Sequence, residues 1–167
     1  MRLKFKIIFF TYFSLFFIIL YFIIFSLNKK NVNNLTIEKL PIILLKDVNN
    51  NFFSNNDIDN TKSRIIINHF SPTCEHCQYM AGEFIKDSQK LKDVQILMIT
   101  SADSASAAKF NSDYKLSLLP NIIILRDTNY QFQKTFGTGV VPSFFIYEHN
   151  KLVKKVIGET TIENLIN

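Results

Sequence analysis

Cysteine is scarce in this 167-residue chain: two occur, both within Cys74-Glu75-His76-Cys77, and none is left for a structural disulfide elsewhere. The fold must therefore stand on its core, and a disulfide formed here is chemistry rather than scaffolding. Histidine is nearly as rare. His69, His76 and His149 are the only three, and no second C-x-x-C or H-x-x-x-H completes the roughly four ligands of a structural zinc site. No basic stripe exists either. The net charge is +5, but the lysines are scattered and several stand beside acids, as in Glu38-Lys39 and Lys46-Asp47, which argues against nucleic acid as a partner. There is no internal repeat and no low-complexity segment beyond a bias towards asparagine.

Charge is also absent from one long run. Ile7 to Leu27 is apolar or aromatic except for Thr11, Tyr12, Ser14, Tyr21 and Ser26, and about 20 such residues match the hydrocarbon thickness of a bilayer. A cleavable signal peptide has a shorter apolar region followed by a small-x-small site, whereas this run ends in Phe25-Ser26-Leu27-Asn28-Lys29-Lys30. We expect an uncleaved signal anchor, with a cleaved peptide as the alternative. Arg2, Lys4 and Lys6 before the run outweigh Lys29 and Lys30 after it only slightly, so the positive-inside rule favours a cytoplasmic N-terminus weakly. The expected organisation is a cytoplasmic tip and membrane anchor over 1–28, a hydrated Asn-Lys-rich linker over 29–39 and one domain over 40–167.

Within that domain, Ile42–Leu45 and Asn51–Phe53 suggest a hairpin turning at Asn49-Asn50, followed by a polar loop from Ser54 to Lys62. Arg64 to Phe70 carries Ile65-Ile66-Ile67, a β-branched run typical of a strand buried on both faces. Glu75 to Leu91 sets Met80, Phe84, Ile85, Ser88 and Leu91 at helical spacing, and Val94–Ile99 is strand-like again, so a βαβ crossover is expected. A helix over Ser104–Tyr114, a strand over Ile122–Leu125 and a short helix over Asn129–Phe136 stopped by Gly137 follow. Ser143–Tyr147 and Leu152–Ile157 flank Glu148-His149-Asn150-Lys151 as a hairpin. Thr160-Thr161-Ile162-Glu163 looks like a capping box opening a last helix. The alternation predicts the α/β class: a mixed central sheet flanked by helices.

Two cysteines three apart at a helix start share one face, within reach of one another. Cys74 at the N-terminus, where unpaired N–H groups and the helix dipole favour a thiolate, is the expected nucleophile, and Cys77 one turn inside is the resolving thiol. Attack on a substrate disulfide passes through a mixed disulfide on Cys74 that Cys77 then displaces. Glu75 and His76 tune the pair in opposite senses, since a protonated His76 would stabilise the thiolate and Glu75 would oppose it. The direction, reductant or oxidant, stays open. No cofactor and no metal site is implied.

The stretch Ile66-Ile67-Asn68-His69-Phe70-Ser71-Pro72-Thr73-Cys74-Glu75-His76-Cys77 resembles the strand–loop–helix of the thioredoxin superfamily. Asn68, six before the first cysteine, is more similar to the TlpA/ResA-like branch than to thioredoxin, which has an aspartate there. Gly139-Val140-Val141-Pro142-Ser143-Phe144-Phe145-Ile146-Tyr147 resembles the family's cis-proline loop, and Gly158 and the final helix fit as well. The resemblance covers about residues 40–166. It implies a thioredoxin-like fold with a four- or five-stranded mixed sheet, a redox-active Cys74–Cys77 disulfide, and Val141-Pro142 in cis as the surface that pairs with a bound polypeptide.

By the same resemblance, the chain would be a membrane-anchored thiol-disulfide oxidoreductase. It would sit single-pass in a bacterial cytoplasmic membrane with the C-terminal domain towards the periplasm or cell exterior. It would reduce protein disulfides, apocytochrome c being one candidate, with electrons from a membrane thiol donor. Thr73 and Phe70 stand where the family usually has tryptophan, and His76 replaces the proline of thioredoxins. Asn68 cannot serve as a buried proton acceptor, and Glu83 reads as a solvated charge rather than its substitute. Two rivals use related features: a peroxiredoxin-type thiol peroxidase, whose Pro and Thr spacing Pro72-Thr73-Cys74 does not reproduce, and a Sco-like copper-binding assembly protein, which has three residues between its cysteines.

Overall fold

The computed structural model describes residues 12–26 and 37–167. The chain divides into two units, Met1–Leu35 and Thr36–Asn167. In the first unit, 12–26 is helical. No helix among the described residues is long and apolar enough to cross a membrane; the expected run from Ile7 to Leu27 and the linker that follows lie partly outside the described residues.

The second unit is built on one seven-stranded sheet. Its strands are β1 (Leu44–Asp47), β2 (Phe52–Ser54), β3 (Arg64–His69), β4 (Val94–Thr100), β5 (Ile122–Arg126), β6 (Ser143–Glu148) and β7 (Lys151–Ile157), in the order β2-β1-β5-β4-β3-β6-β7. β3, β4 and β5 run parallel, and β1, β2, β6 and β7 join antiparallel. The sheet is thus wider than four or five strands. The N-terminal hairpin attaches through two residue pairs, Lys46 with Arg126 and Asp47 with Leu125, and Arg126 reinforces the seam by donating from Nε to the Asp47 carbonyl.

Four helices cover the sheet: α1 (Glu75–Lys86), α2 (Ser104–Asp113), α3 (Gln131–Phe136) and α4 (Ile162–Ile166). Because successive side chains of a strand point to opposite faces, the triple isoleucine of β3 feeds two cores. Ile66 and Phe70 meet Cys77, Met80, Ala81 and Phe84 of α1, Phe110 of α2 and Leu165 of α4. Ile67 meets Leu97, Phe132, Phe136, Phe145 and Tyr147 on the α3 side. Each isoleucine, leucine, methionine or phenylalanine among them that is removed from water contributes about 1.5–3 kcal/mol.

Two local expectations shift, and a third is met. The helix after the cysteines stops at Lys86, with Asp87 as its cap and a 3₁₀ turn over Ser88–Leu91. The last helix is capped by Thr161, whose side chain accepts from the Asn164 amide; Glu163 therefore falls one position short of closing a capping box and pairs with Lys90 instead. In the β6–β7 turn both His149 (φ 47°) and Asn150 (φ 66°) are left-handed, as a type I′ hairpin demands.

Candidate active site

β3 is held on both sides, by β4 and β6, so its C-terminal end is one of the best-braced points of the fold. Beyond it, Phe70 donates its amide to Ile99, and the chain turns sharply so that the Cys74 amide bonds the Ser71 carbonyl at 3.1 Å. Ser71 and Thr73 hydroxyls meet at 3.1 Å, and Gln78 Nε2 donates to the Pro72 carbonyl at 2.9 Å. This turn delivers Cys74 as the N-cap of α1, with extended backbone and no side-chain capping bond. The first-turn N–H groups are left open towards that end of the helix, a setting that suits an anion.

The two cysteines are neighbouring free thiols with unlike surroundings. Cys74 is half-buried, whereas Cys77 is 1% exposed and belongs to the core cluster. Burial is the largest cause pushing the Cys77 thiol up to about 12; the Ser71 backbone opposes this, and neighbouring Cys74 adds to it. One sulfur is reachable, and its partner keeps its proton until late.

Val141 and Pro142 lie beside the first cysteine. Their peptide bond is cis, and the Cys74 Sγ lies 3.8 Å from the Val141 carbonyl oxygen. From behind, the Gly158 amide donates to the Pro142 carbonyl at 2.8 Å. Gly158 has φ +92°, a backbone that other residues adopt only under strain, so the glycine suits this tie.

Glu75 and His76 are exposed in the first turn of α1. His76 Nδ1 donates to Glu159 Oε2 at 2.7 Å; a carboxylate can only accept, which places the ring proton on that nitrogen. The sequence offered no signal for Glu159, which lies 83 residues away and arrives only because β7 returns beside the helix. Asn68 is buried and donates to the Ser143 and His69 carbonyls, bracing β3 against β6. Glu83 pairs with Lys86 at 3.0 Å. His69 lies under the opposite face, stacked on Phe132, and His149 sits in the β6–β7 turn. Among the described residues no three His, Cys, Asp or Glu side chains gather as a metal site.

Comparison with known proteins agrees with this fold. A sequence model of the thioredoxin family, described as "Thioredoxin", matches residues 43–139. A search of curated proteins finds no match. Among solved structures, a secreted Mycobacterium tuberculosis disulfide oxidoreductase homologous to E. coli DsbE superposes with a TM-score of 0.62 at 16% identity, over 74% of this chain and 91% of that one. StoA from Bacillus subtilis gives 0.55 at 20% identity, over 75% and 93%. A peroxiredoxin-like protein from Aquifex aeolicus gives 0.61 at 12% identity, over 77% and 82%. Likeness of fold at such identities does not select among these chemistries, but the matched family spans both β3 and the cysteine pair. The chain belongs to the thioredoxin family.

Proposed function

We propose that the chain is a thiol-disulfide oxidoreductase that reduces protein disulfides through Cys74 and Cys77. The observation that carries this reading is the asymmetry of the pair: one thiol is accessible at a helix N-terminus facing the Val141 carbonyl, and the other is buried one turn inside. The Cys74 thiolate attacks a substrate sulfur, forming Cys74–S–S–substrate and expelling the second substrate sulfur as a thiolate. Cys77 then gives up its proton and attacks the Cys74 sulfur, releasing the first substrate sulfur. Two electrons pass to the substrate, and the enzyme is left with a Cys74–Cys77 disulfide. Val141 and Pro142 form the docking surface for the substrate backbone, and Glu75 and His76 tune the pair.

Residues 1–28 act as a signal anchor in this proposal, 29–39 as the linker and 40–167 as the catalytic domain outside a bacterial cytoplasmic membrane. The apolar run Ile7–Leu27 supports it. Extracytoplasmic protein disulfides, apocytochrome c among them, are the substrates, and a membrane thiol carrier is the electron donor. A reporter active only in the periplasm, fused after Asn167, tests the topology, and an inactive fusion refutes it. For the chemistry, Cys77→Ser should accumulate a covalent adduct with a disulfide-bonded peptide and Cys74→Ser should not; equal adduct from both variants contradicts the assignment.

A further inference from the structure

Beneath the loop that carries Val141 and Pro142 lies a buried imidazole that the exchange chemistry leaves unused. His69 ends β3 on the face away from Cys77 and is 5% exposed. Its ring stacks on Phe132 of α3, with centroids 4.2 Å apart and planes 16° apart. Its antiparallel partner on β6 is Ser143, the residue after Pro142. Directly paired residues stand on one face with Cβ atoms about 5 Å apart. His69 Nδ1 and Ser143 Oγ are both buried without a hydrogen-bond partner.

From the loop, a hydrogen bond to the Val140 backbone favours a charge on the ring. After β5 comes Asp127, the charged group that acts on the imidazole. Its carboxylate is already committed to the start of α3, accepting from the Gln131 amide at 2.9 Å and from the Phe132 amide at 2.6 Å. α3 itself presents Phe132, and β6 presents Ser143.

We propose that His69 is a positioning residue of the docking loop, supporting residues 140–143 from below while neutral and releasing them on gaining a proton, so that substrate docking weakens in acid. The inference rests on the function proposed above. A neutral ring suits an aromatic stack and unpaired Nδ1, whereas a charged ring must be desolvated there. Burial accordingly holds the proton affinity of His69 below the ordinary histidine value, with Val140 and Asp127 opposing it only in part. The sign follows by linkage. Docking that favours the neutral ring is complete above about pH 6.5 and is lost as pH falls through the lower value of the docked form. By the same linkage, the half-saturating substrate concentration rises as the ring takes up its proton.

The test uses the full chain in detergent micelles, pre-reduced, in single-turnover exchange with a disulfide-bonded peptide quenched in acid. The rate at saturation carries the ionisation of the thiols, and the half-saturating concentration reports docking. Between pH 7.5 and 5 that concentration should rise severalfold in the wild type and stay flat in His69→Gln, which is neutral throughout and keeps a polar end towards Val140. NMR of histidine-labelled wild type supplies a readout that needs no variant: the Val140, Val141 and Ser143 amide resonances should move in step with the His69 ring. An equal acid response in His69→Gln, or amides that ignore the ring titration, overturns the proposal. Absence of exchange at every pH in both proteins would sink the oxidoreductase reading instead, leaving the NMR result to judge His69.

Discussion

Replacing Cys74 by serine leaves Cys77 as the only cysteine, and its alkylation by iodoacetamide should be slow and governed by hydroxide. Its thiol is displaced from an ordinary value of 9.0 to about 12. Each unit is tenfold, so at pH 8 its thiolate fraction falls short of an ordinary thiol's by about a thousandfold. A more basic thiolate is intrinsically the better nucleophile, and a Brønsted slope of about 0.45 returns roughly twentyfold of that loss. The net rate should lie up to roughly fortyfold below that of glutathione before restricted access slows it further. Burial, the largest cause of the displacement, survives the substitution, while the part due to Cys74 leaves with it. The logarithm of the rate should climb with unit slope from pH 8 to beyond pH 10, where glutathione has levelled off. A plateau by pH 9.5, or a rate within twofold of glutathione at pH 8 in protein still folded by near-ultraviolet circular dichroism, would refute the reasoning.

Other consequences follow from the same geometry. Because the folded state keeps the Cys77 proton longer than the unfolded chain does, the reduced protein should lose stability as pH rises above 9, by at most about 1.4 kcal/mol per unit; urea titrations at pH 8 and 10 should show a larger loss than in Cys77→Ser, and equal losses would contradict this. Phe84 is fully buried where α1 meets the sheet, so Phe84→Ala should cost about 3–5 kcal/mol in urea unfolding, and a cost below about 1 kcal/mol would mean the helix is not packed as described. Asp127→Ala strips the Gln131 and Phe132 amides of their acceptor at a 2% exposed site. It should destabilise by about 1–3 kcal/mol, with faster hydrogen exchange confined to the start of α3; exchange unchanged there would refute the capping role.

The features readable in the sequence were those written locally. Three isoleucines in β3, helical spacing of Met80 and Phe84, and asparagine at the hairpin turns each express a backbone preference within a few residues. The cysteine pair was legible because the chain lacks the further Cys and His ligands that a zinc site built on the same spacing would need. Contacts made through topology were not. Glu159 reaches His76 only after β7 has folded back, and β1 joins β5 through two residue pairs with no periodicity to announce them. Helix ends moved for a related reason: Asp87 ends α1 although the apolar spacing continues to Leu91, and Glu163 is drawn to Lys90 rather than to its own helix end. His69 was legible as a buried strand residue, but its place beneath the Val141-Pro142 loop depends on the pairing of β3 with β6.

The most direct test of the account equilibrates the full chain across glutathione redox buffers and follows the Cys74–Cys77 pair by alkylation and mass, with metal content measured on the same sample. The account predicts a reversible two-electron disulfide between these residues, with a potential near or below about −250 mV, in the range of thioredoxin-type reductants. A potential near about −120 mV would mark an oxidant and contradict the reducing role, and failure to form the Cys74–Cys77 disulfide at any poise, with copper bound instead, would contradict the oxidoreductase itself.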